Sequence, residues 1–168
     1  DQIIVAYKDG NIELTNFELT NKYEVDDIVS LEKFNPSQVY SAVYYDGDKK
    51  EYFVKRFMVE LKTERYKTSI VTEHQKSVLH VFSGKPDVEV RFNVLKGKAK
   101  EKVEEQTKLS EIIDVKGWKA LGNRLTQHDV SGKIHVVESE IKEVPVGTTI
   151  DLEVSPKASK KGNQGDLF

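Results

Sequence analysis

Three times along this chain a β-rich run breaks at a glycine-containing turn and resumes as a second alternating run. Ile3–Tyr7 ends at Asp9-Gly10 and is followed by Asn11–Thr15. Val39–Tyr45 ends at Asp46-Gly47 and is followed by Glu51–Phe57. Ser77–Phe82 ends at Ser83-Gly84 and is followed by Val88–Phe92. A β-rich run, a tight turn and a second run of period two predict a hairpin. The turns at Gly10, Gly47 and Gly84 set a period of about 37 residues, and periods of roughly 20–50 residues mark stacked or radial repeats. All-β repeats of this length predict a propeller-like array with several strands per blade.

Shorter runs between the hairpins, Ile28–Leu31 and Thr68–Thr72, are expected to add further strands. Lys96–Lys108 alternates Lys and Glu without an apolar stripe, which fits an exposed connection or edge strands better than a helix. A last strand pair, Gly132–Val137 and Thr149–Val154, is expected to flank the turn Val144-Pro145-Val146-Gly147. From Ser155 onward Ser, Lys, Gly, Asn and Pro dominate. The expected organisation is a β domain over 1–155 and a flexible tail over 156–168.

The chain of 168 residues carries a net charge of -2, which hides a strong asymmetry. Residues 1–48 hold 3 basic and 10 acidic side chains, and residues 49–133 hold 19 basic and 12 acidic. A basic middle can attract a polyanion although the whole is neutral, because phosphates respond to the local field; Lys-rich strands that simply face solvent give the same count. There is no cysteine, so disulfides and thiolate metal sites are excluded and the cytoplasm is the expected compartment. No apolar run reaches the length of a membrane span. The start, Asp1-Gln2-Ile3-Ile4, has no signal-peptide pattern and no initiator Met, and is expected to belong to a fragment of a longer protein.

Residues 114–126 hold the most informative cluster. Gly117 and Gly122 lie five residues apart, among Lys116, Lys119 and Arg124. Glycines let a loop turn tightly and bring amide N–H groups close to phosphates, while the cations neutralise backbone charge. Trp118 either packs inward as an anchor or touches sugar and base faces. No Gly-Lys-Ser/Thr follows, so this is not a nucleotide-binding P-loop. His74, His80, His128 and His135 are dispersed without a ligand spacing, and no nucleophile elbow occurs. Asp26-Asp27 and Asp46-Gly47-Asp48 fit turn chemistry.

The Lys-Gly-x-x-x-x-Gly-Asn pattern at Lys116–Asn123 resembles the basic glycine-rich box in the DNA-cleaving subunit of bacterial type IIA topoisomerases, the gyrase and topoisomerase IV family. Asp46–Phe57, a turn followed by a strand ending basic-basic-aromatic, is similar to a repeat of the C-terminal domain of that subunit, and Ile3–Leu19 to another copy. The resemblance covers residues 1–155 and is to the topoisomerase IV-like form of Bacteroides-type bacteria. It implies an all-β, β-propeller-like β-pinwheel in which neighbouring blades exchange strands, here an open or partial ring of about three to four blades. It implies a non-catalytic domain whose outer face binds and bends duplex DNA. The nucleophilic tyrosine, the ATP and the Mg²⁺ would belong to other parts of the enzyme. The partners would be the remainder of the DNA-cleaving subunit, together with the separate ATPase subunit. Trp118, Ala120 and Leu121 stand where a gyrase box carries more Arg and Gly, which implies weaker wrapping and favours relaxation and decatenation.

The candidate phosphate contacts are Lys55, Arg56, Arg65, Lys67, Arg91, Lys116, Lys119 and Arg124, with Gly117 and Gly122 shaping the loop. Lys96, Lys98, Lys100 and Lys102 come next, although interleaved Glu residues suit a solvated face. Arg56 has a structural alternative, stacking on Phe57. The chain ends Gln164-Gly165-Asp166-Leu167-Phe168; Gln164, Leu167 and Phe168 resemble the short peptide by which bacterial proteins dock on the DNA sliding clamp, with Gly165 a departure from it. The rival reading is a protein-interaction propeller whose contact surface is apolar or acidic, such as residues 1–48. A carbohydrate-binding module would want a row of exposed aromatics, and the Tyr residues are scattered.

Overall fold

The computed structural model describes residues 2–16, 25–60 and 66–138. They form eleven strands and two short 3-10 turns, Val25–Asp27 and Leu109–Glu111. The strands are β1 (Gln2–Tyr7), β2 (Asn11–Asn16), β3 (Ile28–Lys33), β4 (Val39–Asp46), β5 (Glu51–Met58), β6 (Tyr66–Ser69), β7 (Val78–Ser83), β8 (Glu89–Lys96), β9 (Glu101–Lys108), β10 (Asn123–Arg124) and β11 (Asp129–Val136). They assemble as three antiparallel sheets, in the orders β3-β1-β2-β6, β7-β4-β5-β10 and β11-β8-β9. The fold is all-β, and each sheet is one blade of a partial propeller-like array. The compact unit runs Asp1–Val137. The domain boundary expected at 155, the strand expected at Thr149–Val154 and the tail lie outside the described residues.

Each blade is built on one hairpin: β1–β2, β4–β5 and β8–β9. One flank of each hairpin takes the strand β3, β7 or β11. These three are neighbours, β7 packing beside both β3 and β11, so they form the hub. The opposite flank is the rim, and there the chain crosses between repeats. After hairpin β4–β5 the chain returns to the first blade, where β6 pairs with β2 from Asn11↔Ser69 to Leu14↔Tyr66. After hairpin β8–β9 it returns to the second blade, where β10 pairs with β5 at Asn123↔Val54 and Arg124↔Phe53. Each repeat thus completes the blade before it, which is the strand exchange expected of a β-pinwheel.

The third hairpin differs from the one expected around Gly84. β7 does not pair with β8; it pairs with β4, from Ser41↔Ser83 to Tyr45↔Val78. β8 pairs instead with β9 through eight residues, Glu89↔Lys108 to Lys96↔Glu101. The reason lies in what Gly84 does. Its amide donates to the Glu32 carboxylate at 3.2 Å, and its carbonyl accepts from the Gln38 side-chain amide, so the glycine joins two blades rather than turning a hairpin. The true repeat is longer than 37 residues. β3 and β7 begin at 28 and 78, β4 and β8 at 39 and 89, and β5 and β9 at 51 and 101, an offset of 50. The 37-residue spacing from Gly10 to Gly47 relates the turns of the first two hairpins only.

The second blade is buried on both faces. On β4, Ala42 and Tyr44 pack into a core with Ile4, Ile12, Leu14, Phe57 and Phe82, while Val43 packs into another with Val54, Val90, Phe92, Leu109 and Ile113. Alternation along a strand sends neighbours to opposite faces, so the near-continuous apolar run of β4 serves two interblade layers. Fully burying a side chain such as Tyr40, Tyr44 or Phe57 contributes about 1.5–3 kcal/mol each. Burial pushes the Tyr40 and Tyr44 phenols above their ordinary pKa, and both belong to the core.

Equivalent lysines in the second and third hairpin turns, Lys50 and Lys100, adopt left-handed backbone with φ of 58° and 54°. Such a residue costs about 1–2 kcal/mol when it carries a Cβ. Lys50→Gly and Lys100→Gly are each expected to raise stability by about 1 kcal/mol and the melting temperature by about 3 °C, read by thermal denaturation.

Candidate nucleic-acid interface

The loop singled out in the sequence is the crossover from the third repeat to the rim of the second blade. It starts from a fixed point, since Leu109 and Ile113 are buried in the core between blades 2 and 3. From there it runs along β5. The Lys116 amide donates to the Arg56 carbonyl at 2.9 Å, and the Leu125 amide donates to the Tyr52 carbonyl at 2.9 Å. Between these anchors side chains hold the loop by its carbonyls. The Tyr44 hydroxyl donates to Leu121 at 2.8 Å and the Asn123 side-chain amide to Ile112 at 2.9 Å. The Lys55 ammonium donates to Trp118 at 2.6 Å and also to Ile70 at 2.7 Å, just past β6. Trp118 is half-buried against the core between blades 1 and 2, so the inward alternative holds.

The two glycines play different parts. Gly122 has φ +96°, and a Cβ there would lie 2.3 Å from the Val54 carbonyl oxygen; the position admits only glycine. Around Gly117 there is open space. The amides of Lys116 and Ala120 are already used, the latter on the Gly117 carbonyl at 3.0 Å.

The candidate cations separate into distinct environments. Lys55 is only 5% exposed and points inward with Phe53 and Phe57, its Nζ 5.6 Å from the Phe57 ring centroid. Its ammonium holds the loop, which removes it from the surface set. Arg56 is half-buried and donates to the Ile113 carbonyl at 3.2 Å. Arg124 is exposed but paired with Glu51 at 2.7 Å. Arg91 pairs with Glu104 at 3.0 Å and Lys96 with Glu105 at 3.1 Å, both on blade 3, and Lys100 reaches Asp129 at 3.9 Å. Lys67 is exposed on β6, its Nζ 5.6 Å from the Tyr7 ring centroid. Lys116 and Lys119 are exposed, and among the described residues their side chains have no ion pair or hydrogen bond. Arg65, Gln164, Leu167 and Phe168 lie outside the described residues.

The rim segments of blades 1 and 2 thus carry exposed Lys67, Lys116 and Lys119, while on blade 3 Arg91, Lys96 and Lys100 are paired with carboxylates. The roles of Lys55 and Tyr44 in fixing the loop were not foreseen.

A family model for the topoisomerase C-terminal domain of Bacteroidota matches residues 1–138. The chain belongs to that family. The matched residues are those of the three blades, so in this topoisomerase C-terminal domain the strand-exchanged array and the family coincide. The domain is accordingly an accessory part of a topoisomerase. No curated protein and no solved structure matches the chain. Among the described residues of the topoisomerase domain no His, Asp and Glu cluster is placed to hold a metal ion, and no helix is long and apolar enough to cross a membrane.

Gly122→Ala is expected to cost about 2–3 kcal/mol, because it combines a left-handed backbone with a clash on the strand it pairs with. Gly117→Ala is expected to stay within about 0.5 kcal/mol of the wild type. Urea denaturation of the two variants checks the contrast.

Proposed function

We propose that the rim of blades 1 and 2 binds the backbone of duplex DNA and bends it for a type IIA topoisomerase, this chain being the C-terminal domain of the DNA-cleaving subunit. The carrying observation is that the two rim segments, supplied by successive repeats, carry exposed Lys67 on β6 and Lys116 and Lys119 in the crossover, with no carboxylate paired to the last two among the described residues. Contacts of this type read phosphates rather than sequence. Bending a duplex costs a few kcal/mol, which phosphate contacts around a curved surface offset. Arg124 and Arg56 sit beside these lysines and add field even while bonded elsewhere; Arg65 remains in the proposed set, and Arg91 joins it by exchanging Glu104 for a phosphate.

On this reading cleavage, ATP and Mg²⁺ are handled by other parts of the parent enzyme, which works in the bacterial cytoplasm with a separate ATPase subunit. Trp118, Ala120 and Leu121 in place of further Arg and Gly in the loop favour relaxation and decatenation over tight wrapping. The terminal Gln164, Leu167 and Phe168 are proposed to dock on the DNA sliding clamp, supported by their Gln-x-x-Leu-Phe spacing; a fluorescent peptide of residues 158–168 that fails to saturate on the clamp removes this part.

Each phosphate neutralised changes the slope of log affinity against log salt by about 0.9. Binding of a random-sequence duplex is therefore expected to show a slope of about −3 with three such contacts. Lys116→Glu with Lys119→Glu should weaken binding and flatten that slope. Absence of binding at low salt would turn the reading to a protein-interaction module, for which the acid-rich first blade and its exposed Leu31 are the available surface.

A further inference from the structure

The two rim segments meet over a single buried charge. Lys55 reaches from β5 to the Ile70 carbonyl beside blade 1 and to the Trp118 carbonyl in the loop on blade 2. Above it a cleft of about 340 Å³ opens between the segments, its walls including Thr68, Ser69, Thr72, Trp118 and Lys119. No carboxylate pairs with the Lys55 ammonium among the described residues. A cation kept from water without a counter-charge is costly.

Holding the loop does not need that charge. A neutral amine has two N–H groups, enough for both carbonyls. The positive charge and the third proton are surplus to the loop, and they lie under an open cleft with a second, unpaired ammonium, Lys119, on its wall. Hydroxyls stand beside it: Ser69 Oγ accepts from the Val71 amide at 3.4 Å, and Thr72 Oγ1 lies 3.0 Å from Ser77 Oγ. This is the chemistry of a single-anion seat, and it lies where a duplex following the rim passes from one blade to the next.

We propose that this interblade cleft seats one backbone phosphate of bound duplex DNA, with Lys119 contacting the phosphate oxygens and Lys55 supplying fixed positive charge beneath them. The proposal rests on the DNA-binding reading above and adds a specific subsite to it. Lys55 then has two roles: its N–H groups position the loop, and its charge completes the seat.

The two roles respond differently to pH. Burial lowers the Lys55 ammonium to about 8. The other titratable groups lining the cleft are Tyr44, from β4, and Lys119, from the loop; burial pushes Tyr44 upward and keeps its phenol protonated. Loss of the Lys55 proton leaves both carbonyls a donor but removes the attraction for an anion. A bound phosphate favours the charged form, so complex formation near pH 8 takes up protons.

The test measures affinity of the 168-residue chain for a random-sequence duplex at constant ionic strength, from below to above pH 8. Wild-type affinity should fall about tenfold as Lys55 neutralises, while Lys55→Met should bind about tenfold more weakly at neutral pH, lack that fall and show a salt slope smaller by about 0.9. A wild-type profile flat through pH 8, or the same fall in both proteins, overturns the seat. Should Lys55→Met not fold, wild-type calorimetry at pH 8 in buffers of different ionisation enthalpy decides: uptake of up to about half a proton supports the seat and none overturns it. Inorganic phosphate that takes up protons where DNA does not would assign the cleft to free phosphate and overturn the backbone seat. Salt-dependent binding without the pH effect removes only the seat, whereas no binding at low salt removes the DNA reading and the seat together.

Discussion

The backbone pairing of β6 with β2 and of β10 with β5 is the constraint on which the rest of the molecule depends. A sheet edge without a partner exposes a row of unpaired N–H and C=O groups. The first two hairpins are covered at the rim only because the chain turns back before it goes forward. Both returning strands are short, four residues in β6 and two in β10, too little ladder to hold a crossover alone. The deficit is met by groups outside the ladder. Lys55 and Tyr44 hold carbonyls of the crossover, Gly122 lets it approach Val54, and Leu109, Ile113 and Leu125 fix its ends in the core.

The same arrangement decides which charges are available to a partner. The basic middle of the sequence is an excess of side chains, but the structure divides it. Exposed pairs on β8 and β9 place Arg91 and Lys96 against Glu104 and Glu105, and such surface pairs are worth little to stability. Their effect is to lower the field over the third blade. Lys116 and Lys119 escape this because the crossover carries few acids between Glu111 and Arg124, Asp114 alone. Local sequence around the loop, rather than net charge, sets where an anion is attracted.

The hairpins of the first two blades were legible because Asp-Gly turns and period-two alternation are local signals. The pairing of β7 with β4 was not, since it joins residues of separate repeats and Gly84 mimics a turn. Hairpin β8–β9 was hidden by the composition of β9, where Val103 is the one aliphatic residue and backbone pairing does the work of side chains. The glycine-basic loop was legible as a cluster, and Trp118 as an anchor. The burial of Lys55 had a signal that was outweighed by its charge: Phe53, Lys55 and Phe57 fall on one face by period two, and both aromatics are buried. The distinction between Gly117 and Gly122 depends on where the crossover meets β5 and has no local trace.

Strand exchange also shifts where damage is felt. Chain lost or altered between Glu111 and Arg124 belongs in sequence to the third repeat, yet the blade stripped of its rim is the second. Likewise a lesion around Tyr66–Ser69 uncovers the first blade although it is written after the second hairpin. Each repeat is the guardian of its predecessor, so a defect travels one step toward the N-terminus. The blades consequently cannot be exchanged, deleted or borrowed as self-contained modules: a cut that separates two repeats in sequence passes through the middle of a blade.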